Sequence, residues 1–227
     1  MSEKRRTIRS YVLRSGRLSK SAAHALEAYV PLYGIDPADS MLDLKKIFPK
    51  PRPIIIEIGF GMGHATIELA EGYPEYNFIG IEVYPPGVGK VLSEIHERSL
   101  ENLKVLRADA ATVLDRMVPD SSVCGFHVFF PDPWPKKKHH KRRLLQKSFM
   151  QTLARKLETG GYLYAVTDWE DYARQILREL QELELLSNPY DGFAPPRPWR
   201  PETSFQRKGE AKNHPIFEIW FEKEAAY

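Results

Sequence analysis

The chain has a single cysteine, Cys124, among 227 residues. One cysteine excludes an intramolecular disulfide and all but excludes a cysteine-based zinc site. It is the usage of a reducing cytosol. The chain also lacks an apolar run of the ~20 residues that a membrane helix needs, so no membrane association is expected. Its first twenty residues, MSEKRRTIRSYVLRSGRLSK, are basic but have neither the apolar centre nor the small-residue cleavage site of a secretory signal. A cytoplasmic location follows as the expectation. Internal repeats are absent too, which argues against a solenoid. What remains is a globular composition, 42% hydrophobic and 28% charged, long enough for one well-filled domain with a modest extension.

The net charge of +3 conceals an uneven distribution. Residues 1–20 hold seven Lys and Arg against one Glu, and residues 136–147 hold seven against no acid at all. The rest of the chain sums to −10. A single basic run is usually a solvated face. Two concentrated runs on an otherwise acidic chain are an electrostatic footprint for a polyanion, most simply nucleic acid.

After the basic arm, SKSAAHALEAYVPLYG offers Ser19 or Ser21 as an N-cap and Pro31 with Gly34 as a stop. The proline-rich segment DPADSMLDLKKIFPKPRP reads as a wrapped connector, so the boundary expected is an arm and connector over residues 1–52 and the core domain over 53–227. From there the pattern alternates. IIIEIG, NFIGIE, LKVLRAD, GFHVFFPDP and YLYAVT read as strands, and HATIELAEGYP and PGVGKVLSEIHERSL as helices between the first three. LLQKSFMQTLARKLETGG predicts a helix with Leu145, Phe149, Leu153 and Leu157 on one stripe and glycines past its end. DWEDYARQILRELQEL predicts another, with Tyr172, Ile176, Leu180 and Leu183 in register. HPIFEIWFEKE closes the chain as an alternating strand. Strands with intervening helices argue for an α/β, doubly wound parallel sheet, which binds ligands beyond the C-terminal strand ends where strand order reverses.

Gly59, Gly61 and Gly63 fall between the first strand and the first helix of that domain, where the backbone turns tightly and approaches a ligand. The spacing is G-x-G-x-G. A dinucleotide fingerprint would place its third glycine at His64, and Glu57 just before the loop would repel a pyrophosphate while suiting an ammonium or sulfonium. S-adenosylmethionine carries both. Glu82 ends the second strand, placed to accept from ribose hydroxyls, and Asp109 ends the third, placed to accept from an exocyclic amine. Either acid alone reads more simply as a turn residue; three at successive strand ends favour a nucleoside. Gly89-Lys90 in YPPGVGKV is not a P-loop, because Tyr84 and Val91 stand where glycine and Ser or Thr are required.

The fourth strand ends in FFPDPWP, whose prolines 131, 133 and 135 fix the chain and present Asp132 and Trp134 rigidly. Asp132 reads as a ligand-facing acid at the sheet edge, and the basic run beyond it as a phosphate surface. His139 and His140 are adjacent with no second ligand cluster in view, so no metal is expected. Trp169 and Trp199 read as core aromatics or base platforms, unassigned between the two.

EIGFGMG, GIEV, FFPDPWPKKKHHKRR, TDW and PETSFQRKG stand in the order and spacing of the bacterial tRNA (guanine-N7-)-methyltransferase family, which the chain resembles from the basic arm to the last strand. The glycine loop is generic to S-adenosylmethionine-dependent methyltransferases; PDPWPKKKHHKRR is far more specific. The resemblance implies a Rossmann-like class I methyltransferase fold, a mostly parallel seven-stranded sheet with an antiparallel last strand. It implies transfer of a methyl group from S-adenosylmethionine, leaving S-adenosylhomocysteine, to N7 of a guanosine in the tRNA variable loop (m7G46), with no obligate protein partner. On this resemblance Glu57, Gly59, Gly61, Gly63, Glu82, Asp109 and Asp132 bind the cofactor, and Asp132 is the catalytic residue. Lys136, Asp168, Thr203, Ser204, Phe205 and Gln206 meet the tRNA. One departure stands out: the family's run is T-x-F-E, and Gln206 replaces the glutamate, keeping an acceptor but losing the charge. Two rival readings are an amino-methyltransferase acting on another nucleic-acid base and a non-catalytic RNA-binding protein that has kept the fold.

Overall fold

The computed structural model describes residues 10–11, 18–37, 40–211 and 213–225. Most of the basic arm therefore lies outside the described residues.

Helix α1 (Lys20–Tyr33) starts at Ser19, whose hydroxyl accepts from the Ala22 amide at 3.1 Å, and stops at Gly34. Pro31 is tolerated in its last turns. The helix packs on the domain rather than standing apart, burying Ala22 and Ala25, and Gly34 bridges to the strand residue Val105. The connector is wrapped as expected: α2 (Leu44–Ile47) buries Leu44, Phe48 follows it into the core, and the Leu42 amide donates to the Met117 carbonyl.

The main body alternates β1 (Ile54–Ile58), α3 (His64–Gly72), β2 (Asn77–Ile81), α4 (Pro85–Glu97), β3 (Leu103–Leu106), α5 (Ala110–Arg116) and β4 (Val123–Phe129). A 3-10 helix, η1 (Lys137–Arg142), precedes α6 (Lys147–Lys156), β5 (Leu157–Thr167), α7 (Glu170–Gln181), β6 (Leu186–Ser187), α8 (Ser204–Glu210) and β7 (Phe217–Lys223). The sheet order is β3-β2-β1-β4-β5-β7-β6. Strands β1 to β5 pair in parallel, while β7 inserts antiparallel between β5 and β6. Strand order reverses between β1 and β4, so the crevice where ligands gather in such sheets opens there. β1 and β2 are buried along their whole length, as strands covered on both faces must be.

Two details differ from the sequence reading. The helix expected to run to the glycines ends at Lys156, and Leu157 opens β5. The Ser121 and Ser122 amides donate to its last two carbonyls, those of Arg155 and Lys156, so no glycine cap is needed there; Gly160 and Gly161 lie inside the strand instead. The short elements α5, β6 and α8 carry too little periodicity to be read from sequence.

Candidate active site

Loops at the C-terminal ends of β1 to β4, together with Ser10, Tyr11 and the start of α8, surround a cavity of about 250 Å³. Gly59, Gly61 and Gly63 all have φ between 58° and 75°, the left-handed region in which a β-carbon is strained. At Gly63 space is decisive as well, since a β-carbon would lie 2.0 Å from Val91 Cγ2 on α4.

The three cofactor-side acids line this cavity, and each is held by the protein's own donors. Glu82 accepts from the Gly61 amide at 2.8 Å on one oxygen and from the Val83 and Tyr84 amides at 2.6 and 3.0 Å on the other. A carboxylate has roughly four acceptor positions, so Glu82 has one left, on Oε2. Asp109 caps α5, its Oδ1 accepting from the Thr112 amide and hydroxyl at 3.0 and 3.1 Å. Turn residue and ligand acceptor are thus compatible, because Oδ2 has no such bond among the described residues. Glu57 is buried in β1 and accepts from the Thr66 hydroxyl at 2.7 Å. Burial, with Glu82 nearby, pushes its pKa up to about 7. At neutral pH this group is a carboxylate only part of the time, unless a cation beside it draws the proton off.

Asp132 lines the same cavity from the fourth strand end. It is exposed and has no hydrogen-bond partner among the described residues. The backbone that presents it is locked on both sides. Phe130 and Trp134 have φ of 51° and 46°, a conformation costing about 1–3 kcal/mol at each non-glycine residue and kept only where surroundings enforce it. Upstream, the Phe130 amide donates to the Val166 carbonyl at 2.7 Å. Downstream, Arg143 Nε donates to the Pro133 carbonyl at 2.9 Å.

Arg143 corrects the reading of the basic run. Only 2% exposed, its guanidinium also binds Asp171 Oδ2 at 2.6 Å and the Gln175 side chain on α7, and covers the Tyr172 ring. It is an internal brace for the Pro-Asp-Pro turn, not a phosphate ligand. Arg142 lies 3.9 Å over the Trp134 ring, and Trp134 Nε1 donates to the Ser10 carbonyl at 3.3 Å. Lys136, Lys137, Lys138 and Lys141 are exposed.

Of the positions read as meeting RNA, Thr203, Ser204 and Phe205 reach the cavity rim. Thr203 caps α8, its hydroxyl accepting from the Gln206 amide at 3.1 Å. The approach to α8 is anchored by Arg200, which binds Glu218 at 2.7 Å and the Tyr164 hydroxyl at 3.0 Å. Lys136, Asp168 and Gln206 do not line the cavity. Asp168 sits 3.4 Å from His214 Nδ1 and against Gly209, under α8. Gln206 donates to Glu210 at 2.8 Å, leaving its own oxygen buried without a partner among the described residues. Trp199 stacks on His127, and Trp169 packs on the core; neither reaches the cavity. Gly89 and Lys90 lie inside α4. Among the described residues, no group of three or more His, Cys, Asp or Glu could hold a metal ion, and no helix is long and apolar enough to cross a membrane. Sequence reasoning missed Ser10, Tyr11, Met62 and Phe130, all in the cavity wall. Phe130 alone had a signal, as an aromatic at a strand end next to the prolines.

A family model described as "Putative methyltransferase" matches residues 51–219. The 16S rRNA methyltransferase KamB superposes with a TM-score of 0.60 at 14% identity, over 84% of this chain and 97% of that one. An S-adenosylmethionine-dependent O-methyltransferase from Thermotoga maritima gives a TM-score of 0.51 at 17% identity, over 77% and 60%. At such identities the likeness is one of fold. The tRNA (guanine-N(7)-)-methyltransferase of Chromobacterium violaceum is 46% identical over 219 residues, 96% of this chain and 97% of that one. Its counterpart from Methylobacillus flagellatus is 44% identical over 220 residues, 96% and 92%. Identity of this order, sustained across nearly the whole of both chains, goes well beyond a common fold, and the chain belongs to the tRNA (guanine-N(7)-)-methyltransferase family.

Proposed function

We propose that the protein transfers a methyl group from S-adenosylmethionine to N7 of a guanosine in the variable loop of tRNA. The observation that carries this reading is Asp132, a carboxylate without an internal partner among the described residues, held by a strained and braced turn at the rim of a cavity whose other acids are pre-set by the protein's own donors. Residues 53–227 form the catalytic domain in this reading, with 1–52 as basic arm and connector, and the reducing cytosol suits the lone thiol of Cys124.

The donor set fits the cofactor. Glu82 Oε2 offers one acceptor for a ribose hydroxyl, Asp109 Oδ2 one for an adenine amine, and Glu57 a negative charge for a cationic end, while Gly59 and Gly61 leave the loop open to close approach. When bound, S-adenosylmethionine supplies an electrophilic methyl on a sulfonium.

Guanine N7 carries an in-plane lone pair and no proton, so the chain need supply no general base. What it must supply is placement and a field favouring positive charge on the purine. Asp132 meets the second need as a carboxylate at the rim, and it can also accept from the guanine N1-H and amino group. Thr203 and Ser204 bring hydroxyls to the same rim, and the exposed lysines of η1 and Lys136 hold phosphates. The amino-methyltransferase reading has less support, because it would use Trp134 over the base, and that ring is occupied by Arg142 and tied to Ser10.

Incubating the protein with methyl-labelled cofactor and unmodified tRNA tests the reading. Label is expected in a variable-loop guanosine, at a site cleaved after reduction and mild base as N7 methylation requires. Label resistant to that cleavage would assign an amino-methyltransferase. Failure to bind the cofactor by calorimetry would leave an RNA-binding protein.

A further inference from the structure

Four phenylalanines line the cavity: Phe60 and Phe129 are buried in the core, whereas Phe130 is only partly buried and Phe205 is exposed. Phe130 ends the β4 side of the crevice, and Phe205 is the second residue of α8. Their rings are nearly parallel, 17° apart, with centroids separated by 6.4 Å. That is the loose end of the 4.5–7 Å range in which aromatic pairs interact. A flat base between them needs a contact of about 3.5 Å on each face, or roughly 7 Å in all. The centroid separation is an upper bound on the gap between the ring planes, so the rings must part to admit a base.

The two walls are held differently. Phe130 is half-buried and fixed by its left-handed backbone and its bond to Val166. Phe205 is 57% exposed on a helix of seven residues, with Lys208 Nζ 5.8 Å from its ring centroid. A single exposed apolar side chain is ordinary; what distinguishes Phe205 is that it lines the cavity with its ring nearly parallel to that of Phe130. Opening the slot calls for an outward shift of α8, the element that carries Phe205. Trp134, the aromatic that the sequence places next to Asp132, does not line the cavity.

We infer that Phe130 and Phe205 clamp the target guanine, Phe130 as the fixed face and Phe205 as the closing one. This rests on the function proposed above and assigns the base its place within it. With both faces covered, only the edges of the purine remain free. Asp132, Thr203 and Ser204 line the same cavity as the clamp, where those edges would meet them. The clamp does more than orient. Attack by N7 forms the new N–C bond, the C–S bonding pair stays with sulfur, and positive charge passes to the purine. A purinium stacks on π faces more strongly than neutral guanine does, so the contact tightens as the reaction proceeds.

Phe205→Leu keeps an apolar side chain and removes the ring. Base–aromatic stacking is strong enough that kcat/KM for tRNA is expected to fall about tenfold or more, with cofactor affinity by calorimetry and the unfolding temperature close to those of the parent. Phe205→Tyr, which restores a ring, should recover most of the loss; Phe130→Leu should reproduce it. If Phe205→Leu methylates tRNA as fast as the parent, or loses cofactor affinity in parallel, or is not rescued by Tyr, the clamp is wrong and Phe205 serves helix packing or the cofactor. These outcomes are read against a parent that methylates guanosine N7. A parent that does not do so overturns the proposed function instead.

Discussion

The two sides of the cavity treat their carboxylates in opposite ways. On the β1–β3 side, Glu57, Glu82 and Asp109 each accept hydrogen bonds from the protein itself, six in all and four of them from backbone amides. On the β4 side, Asp132 accepts none among the described residues, although the turn that carries it is strained at Phe130 and Trp134 and braced by Arg143. A carboxylate tied to backbone shapes a site; one left free, on a fixed frame, acts on what enters it. The difference separates building a binding surface from supplying charge at the place where the reaction creates it.

That separation is broken most severely by exchanging the two kinds of loss. Glu82→Ala removes the acceptor for three part-buried backbone amides, each costing up to about 1–3 kcal/mol where water does not replace it. Cofactor binding should vanish in calorimetry and the unfolding temperature should fall with it. Asp132→Asn should do neither. Its cost should appear as a loss of about a hundredfold or more in the single-turnover rate at saturating cofactor. Loss of cofactor affinity in Asp132→Asn of the size seen for Glu82→Ala would erase the distinction.

Glu57 offers a gentler test, by pH. Its folded pKa of about 7 lies above the 4.5 of the free side chain, so the folded state holds this proton more tightly. The associated stability is full below pH 4.5 and is lost as pH rises through 7. A cationic ligand works against that proton, because it needs the carboxylate. Cofactor affinity should therefore weaken about tenfold between about pH 8 and about pH 6, and Glu57→Gln should flatten the profile. A profile that weakens toward high pH would mean that Glu57 binds as the neutral acid.

The sheet was legible because its strands are short β-branched runs set between helices of regular period, and the glycine loop because three left-handed residues leave few alternatives. The acids at the strand ends were legible as positions. Their occupancy was not, since nothing in GIEV says that Glu82 spends three acceptor sites on amides of its own and the neighbouring loop. Short elements fared worst: α8 has seven residues, too few for a period, yet its cap and first two residues all reach the rim. The basic run misled for a related reason. Sequence shows charge but not direction, and KKKHHKRR contains residues that point both ways.

That run also gives the smallest and most selective test of the comparison. Lys137 and Lys138 are exposed on η1, whereas Arg143 is buried behind the turn, joined to Pro133, Gln175 and Asp171. If exposed cations hold RNA phosphates, replacing both lysines by alanine should weaken tRNA binding by a few fold at moderate salt. It should lower the slope of log affinity against log salt by about 0.7–0.9 for each phosphate no longer neutralised. The unfolding temperature should not move. Arg143→Ala should do the reverse: the salt slope stays, while removal of a brace whose partner Asp171 is itself 65% exposed costs about 2–3 kcal/mol of stability, less than a fully buried pair would. The freed turn should then slow methyl transfer by releasing Pro133 and, with it, Asp132. A salt slope that falls in Arg143→Ala as it does in the double lysine variant would put its guanidinium on the RNA and would leave the Pro-Asp-Pro turn to be held by Phe130 and Trp134 alone.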